Sequence, residues 1–570
     1  MSAGGPYQMD IAASNHITIK NILIGDVWVC SGQSNMEFIM QRAKDKYAAV
    51  IAQSDNPAIR QFMVNQAYNF STELDDTKSA GWKQATPQNV LQFTAVGYFF
   101  ARELYAKYKV PIGLILSSWG GTPAEAWMSE EALKAFPKHY DRAKKLQDTA
   151  FVNDIKNRDK ITKKTWYDQL LQDEGLSNRS QPWFSNSYAA TDWPAMQMPA
   201  YWEDRGMKNV PGVVWFRKEI DLPAAIIGKN AKLVLGNLVD EDSTYVNGVK
   251  VGATSNRYLQ RNYLLPDDLL KPGKNIITIR LITHGPQGGF VKDKPYELFA
   301  DGQRFGLDGT WQYKIGKAVE PLPGTTTFPY QPLCLFNGMI HPLLPYTIKG
   351  VAWYQGEANA SRAPEYRKLF PAMIADWRQH WQQGDFPFVY VQLANYYETK
   401  TEPSESNWAA LREAQLFTLA VPNTGMAVIS DIGEWNDVHP LNKLDVGKRL
   451  ALAAQKVAYG DQQVVYSGPT YQSMTKNGNK IIIAFKNVGS GLVSKGGELK
   501  YFSIAGADKK FVWAKAVING NTVTVWNDDI ANPVAVRYAW ADNPDGANLY
   551  NKEGLPASLF RTDDWVADKH

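Results

Sequence analysis

V-C-S-G-Q-S-N-M-E-F, residues 29–38, is the stretch on which the fold turns. It reads as an apolar strand that runs into a glycine turn and presents one serine, Ser34, where a helix opens. Gly32 permits a sharp turn, and Asn35-Met36-Glu37 suits the first turn of a helix. A serine hydroxyl is a weak nucleophile until a base takes its proton and N–H donors receive the oxyanion. The first-turn amides of a helix lack intrahelical partners and can face a developing negative charge. The same spacing also suits an ordinary Ser/Asn helix cap. Residues elsewhere in the chain decide between the two.

Outward from this turn, the pattern alternates short apolar runs with amphipathic segments. Residues 22–30 read as a strand, and 95–109 carry Phe99, Phe100, Leu104, Tyr105 and Tyr108 at helical spacing. I-G-L-I-L-S at 112–117 is a second strand, ending in Trp119-Gly120-Gly121-Thr122. Strand, helix, strand in this order predicts a parallel α/β core. Residues 130–180, rich in Lys, Asp and Gln, read as surface helices. From about 191 the texture becomes strand-like and stays so to about 317, with Asn247-Gly248 as a hairpin turn. After a Pro-rich link at 321–332, α/β texture returns, with strands at 348–354, 388–393 and 426–430 and helices at 366–383 and 442–459. From about 463 the chain alternates again as a small C-terminal β domain. One α/β core is thus expected at 21–190 and 321–462, split by an all-β insert at 191–320 and followed by a β domain at 463–570.

At 570 residues the chain exceeds a single core, and length alone suggests three or four domains. A net charge of +4 with no Lys/Arg cluster argues against nucleic acid as partner. No apolar run reaches the ~18 residues of a membrane span. The 19 Trp and 28 Tyr suit sugar stacking or simply a core. Cys30 and Cys334 carry no disulfide expectation, and neither CxxC nor HExxH occurs, so no metal or cofactor is expected.

An activated serine needs a base, and the chain has seven histidines. His439 stands out, in D-I-G-E-W-N-D-V-H-P at 431–440, a polar loop between a core strand and the last core helix. Such loops are where α/β folds place their sites. Asp437, two residues before it, is a candidate to orient the ring, with Glu357 and Glu434 as alternatives. Gly120-Gly121 can present bare N–H groups, and Gln355 in Q-G-E follows another core strand with a side-chain amide. Ser34, Gly120-Gly121, Gln355 and Asp437/His439 therefore lie at the tips of core strands, which parallel pairing brings to one edge.

The blocks G-Q-S-N-M (32–36), W-G-G-T-P-A-E-A-W (119–127), W-Y-Q-G-E (353–357) and D-V-H-P (437–440) resemble the SGNH hydrolases, and more narrowly their sialate O-acetylesterase branch of carbohydrate esterases. The resemblance implies a flavodoxin-like core and metal-free removal of acetyl groups from sugar hydroxyls. It implies Ser34 as nucleophile, His439 as base, and an oxyanion hole of the Ser34 N–H, a Gly120 or Gly121 N–H and the Gln355 side chain. Two positions depart from the family pattern: many members carry Asn where Gln355 stands, and an acid where Asn436 stands. The insert resembles the sugar-binding jelly roll of family-two glycoside hydrolases through W-F-R-K-E-I-D-L-P (215–223), Y-V-N-G-V-K-V-G (245–252) and L-K-P-G-K-N-I-I-T-I-R (270–280). Residues 1–20 look like the end of an upstream β domain, which points to a periplasmic or secreted native protein.

The expected partner is an acetylated glycan, with no nucleic acid and no membrane. Sialic acid carries a carboxylate, which favours an arginine in the cleft, and Arg362 and Arg412 are the candidates. Trp119, Asn35 and Glu357 are further candidates to touch substrate. An acetylxylan esterase of the same fold and a catalytically silent glycan-binding protein are the alternatives.

Overall fold

A computed structural model describes residues 2–177, 180–207, 210–226 and 230–565, so the last five residues, His570 among them, lie outside the described residues. The chain divides into two units, one of residues 1–149 and 327–570, the other of 150–326.

The first unit is built on a seven-stranded sheet. Its order is Thr424–Ala427, Phe388–Val391, Gly350–Tyr354, Asp26–Gly32, Ile112–Ser118, Asn56–Met63 and Lys83–Ala85. Every pairing is parallel except the last. The central strand reads as a continuous apolar run because Trp28, Val29 and Cys30 are fully buried, as a strand covered on both faces requires. Asn56–Met63 and the edge strand beyond it, Lys83–Ala85, carry no comparable apolar run and are missed from sequence. The register sets the site: Gly32 lies level with Ser118 on one side and Tyr354 on the other. The residues that follow these three positions therefore leave the sheet at one height.

Helices lock the sheet. Ala95–Tyr108 starts at Thr94, whose hydroxyl caps the Gly97 N–H, and ends at Lys109, which has φ of 55°. It packs against Lys443–Val457 at Gly447, where a Cβ would stand 2.8 Å from the Phe100 amide nitrogen. Trp353, Trp127 and Trp377 form a buried cluster with ring centroids 6.1 and 5.7 Å apart. Much of the tryptophan content is thus core packing: Trp28, Trp202, Trp215 and Trp311 are fully buried as well.

The strand expected at 22–30 is two strands, because the chain turns at Gly25, where a Cβ would meet the Pro111 carbonyl oxygen at 2.0 Å. Upstream, Gly4–Ala12 and His16–Ile24 pair as an isolated antiparallel hairpin. One face shows Met9, Ile11, Ile17 and Ile19, each more than 40% exposed. At its base, at the amino ends of the central strands, lies a cavity of about 360 Å³ lined by Ile19, Ile22, Val27, Trp82, Ile112 and Tyr346. After the core, two four-stranded antiparallel sheets share a core that includes Ile481, Phe485, Val523, Phe502, Ile504 and Tyr538.

The second unit holds a six-stranded and a four-stranded antiparallel sheet. Val214, Phe216, Ile277 and Ile279 from the larger meet Leu233, Leu235 and Leu298 from the smaller in one apolar core. The contact division falls at 149/150, earlier than the change of texture at 191. The amphipathic helix Thr149–Gln169 explains the difference: its Trp166 joins Trp183, Trp193 and Trp215 in a second buried cluster of this unit. Among the described residues no helix is long and apolar enough to cross a membrane.

Candidate active site

The serine turn is held by backbone before any side chain acts. Gly32 has φ of 129°, and a Cβ there would stand 2.1 Å from the Tyr354 carbonyl oxygen, so only glycine fits. The Gln33 N–H donates to that same carbonyl at 3.0 Å. Met36 and Glu37 N–H donate back to Gln33 O, which closes the turn Ser34–Glu37. Thr94 Oγ1 donates to Met36 O at 2.7 Å and ties the turn to the neighbouring helix.

Ser34 Oγ lies 2.8 Å from His439 Nε2. His439 is 5% exposed and Ser34 partly exposed, so the pair has one open side. Asp437 approaches the ring differently from a hydrogen-bonded orienter: its Oδ1 accepts the His439 backbone N–H at 2.8 Å and stands 3.7 Å from Nδ1. Glu434 Oε1 accepts the Leu441 N–H at 2.8 Å and so braces the same loop.

Gly120 stands beside the serine, since a Cβ built on it would lie 3.3 Å from Ser34 Cβ. Its N–H donates to Glu37 Oε2. Glu37 Oε1 accepts from Gln66 Nε2 at 3.1 Å, and burial raises its pKa against the pull of the Gly120 amide, Gln66 and Arg42. Glu37 escaped the sequence reading, although residues three apart on a helical turn share a face. The Gly121 φ is 78°, and the Tyr330 hydroxyl covers it.

Several expected site residues serve other groups. Gln355 is fully buried, and its amide donates to Asn359 Oδ1 at 2.7 Å and Thr122 O at 3.3 Å, so the side chain is engaged away from the serine. Asn359 Nδ2 donates in turn to Glu125, which pairs with Arg362 at 2.6 Å. Arg362 also bonds Glu365, so its guanidinium already faces two carboxylates. Arg412 corrects the expectation of a substrate arginine. It is fully buried and donates to the carbonyls of Leu393, Ala394, Ala541 and Asp542, joining its helix to the C-terminal β region. Burial pushes its pKa down to about 9. Asn35 is likewise buried and Glu357 half-buried: Asn35 Nδ2 donates to Glu357 Oε1 at 2.7 Å and to Val438 O at 2.9 Å. They hold the site from behind. Trp119 remains half-buried, its ring 6.4 Å from that of Tyr68.

Residues 24–158 and 335–456 match the family described as carbohydrate esterase, sialic acid-specific acetylesterase. A solved carbohydrate acetylesterase from Xanthomonas citri is 31% identical, with a TM-score of 0.63, and the match covers 99% of this chain and 87% of that one. The sialate O-acetylesterase of Rattus norvegicus is 24% identical over 98% of this chain and 82% of its own length. That of Homo sapiens is 24% identical over 98% and 80%. With its serine and histidine tips joined on one parallel sheet, this chain belongs to the sialic acid-specific acetylesterase family of carbohydrate esterases and is a carbohydrate O-acetylesterase.

Proposed function

We propose that Ser34 is the nucleophile and His439 the general base of a two-step acyl transfer that removes O-acetyl groups, the 9-O-acetyl group foremost, from sialic acids. The observation that carries the reading is the 2.8 Å contact between Ser34 Oγ and His439 Nε2. His439 takes the serine proton as Oγ attacks the acetyl carbonyl, then gives it to the leaving sugar alcohol. Water, deprotonated by the same imidazole, releases acetate. Asp437, 3.7 Å from Nδ1, favours the imidazolium by charge and fixes the loop through the backbone. The oxyanion faces the N–H groups of Ser34 and Gly120. It takes the Gly120 donor from Glu37, which keeps the Gln66 amide as its donor.

The relatives named sialate O-acetylesterase support the sugar, and Trp119 offers a flat face beside Gly120. A periplasmic or secreted location suits such a substrate. Ser34→Ala tests the nucleophile. Hydrolysis of a chromogenic acetate ester should fall by at least ~10⁴-fold with the circular dichroism spectrum unchanged, and full activity would overturn the assignment. Acetate release should be faster from O-acetylated sialoglycan than from acetylated xylan. The reverse order would overturn the sugar and leave the serine standing.

A further inference from the structure

Behind the serine lies a buried cation that the mechanism above leaves without a role. Lys443 opens the last core helix, Lys443–Val457, and is fully buried. Its ammonium donates to Asn35 Oδ1. The same Asn35 side chain donates to Glu357 Oε1 and to the carbonyl of Val438, the residue before His439. One amide thus joins the neighbour of Ser34 to the neighbour of His439. The orientation of that amide is settled by its partners: an ammonium only donates, and a carboxylate and a carbonyl only accept. We propose that the Lys443 ammonium is a positioning residue of the esterase, holding through Asn35 the register between the serine turn and the histidine loop; the inference rests on the reading of Ser34 and His439 given above.

The surroundings keep the charge in place. Lys443 Nζ sits 4.7 Å from the ring centroid of Phe38 and 5.7 Å from that of Tyr354, both cation–π distances. Asp437 and Glu434 of the histidine loop and Glu357 of the Q-G-E block attract it, and Arg42 of the segment Met40–Ala43 repels it. Tyr47 packs beside it, accepting the Leu444 N–H and donating to Leu441 O. Burial dominates and lowers the Lys443 pKa to about 7. Burial raises Glu357 as well. A charged donor binds an amide oxygen about twice as strongly as a neutral one, so loss of the proton slackens the hold on Asn35. The sign is opposite for folding. A lysine whose folded pKa lies below its unfolded value of ~10.4 binds fewer protons when folded, so stability rises with pH between about 7 and 10. Activity and stability therefore move in opposite directions across the same interval.

Lys443→Met keeps the stem against Phe38 and removes the charge. On a chromogenic acetate ester kcat should fall by up to ~10²-fold, the scale of a small misplacement of reacting groups, with KM within about twofold. The wild type should lose kcat as pH rises from 7 to 9 while its melting temperature rises, and Lys443→Met should show neither trend. Because Lys443 acts through Asn35, the double variant Asn35→Ala/Lys443→Met should lose no more activity than Asn35→Ala alone. A folded Lys443→Met with wild-type kcat and pH profile, or additive losses in the double variant, would overturn the proposal. Should Lys443→Met fail to fold, the wild-type profile decides, and constant kcat up to pH 9 overturns it. An inactive Ser34→Ala beside a fully active Lys443→Met would sink this proposal alone. An active Ser34→Ala would sink the reading beneath it.

Discussion

The two ends of the central sheet make an instructive pair. At the carboxyl ends, groups that follow the tips bond to residues of other segments: the Ser34 side chain to His439, Asn35 to Lys443, the Gly120 N–H to Glu37 and Gln355 to Thr122, besides its near neighbour Asn359. At the amino ends, the same strands frame a cavity of about 360 Å³ lined largely by apolar side chains, with an exposed apolar hairpin beside it. The difference lies in chemistry. Parallel strands put the loops that vary in length and polarity at their carboxyl ends, and it is there that a serine hydroxyl and an imidazole meet at hydrogen-bond distance.

The comparison can be broken by substitution, beginning where the effect is largest. His439→Ala should lower kcat/KM by ~10³-fold or more and abolish the acid limb that an imidazole base imposes below about pH 6. A wild-type rate flat down to pH 4 would remove histidine as the base. Gly120→Ala comes next. Its Cβ would meet Glu37 Oε2 at 3.0 Å and Ser34 Cβ at 3.3 Å, so kcat should fall by ~10²-fold, the scale of losing one oxyanion donor. Unchanged kcat would show that the added methyl is accommodated by Glu37 without moving the Gly120 amide or the serine turn. At the amino end, Ile19→Ser should leave kcat/KM unchanged and shift stability by no more than about 0.5 kcal/mol. A loss of activity there would show that the two ends are coupled.

The carboxyl end was legible in the chain because its strands are buried on both faces and stop at glycine or polar residues, which marks each tip locally. What a side chain does after the tip was not legible. Gln355 reads as an amide donor, yet its partner Asn359 is a helical neighbour that competes for it. Arg412 reads as a surface or cleft arginine, and only the return of residues 541–542 shows the carbonyls it satisfies. Lys443 stands at the start of the expected helix 442–459 with no local sign of burial, while Asn35 and Phe38 of the serine turn and Tyr354 of a core strand enclose it. The edge strand stayed hidden because Lys83–Ala85 is three residues long and mostly exposed. The boundary at 150 was hidden because a helix next to a β unit carries no strand signal, and only Trp166 shows its allegiance.

Gly32 pressed against the Tyr354 carbonyl has a consequence for the order in which the enzyme comes into being. The strand that completes the Ser34 turn follows it some three hundred residues later in the chain, and His439 comes later still. On the reading of Ser34 as nucleophile, a nascent chain carries an inert hydroxyl until that second half of the core has been made. On the same reading the esterase switches on only when the second half of the core docks beside the first, so catalytic competence would double as a report that both halves of the sheet have closed.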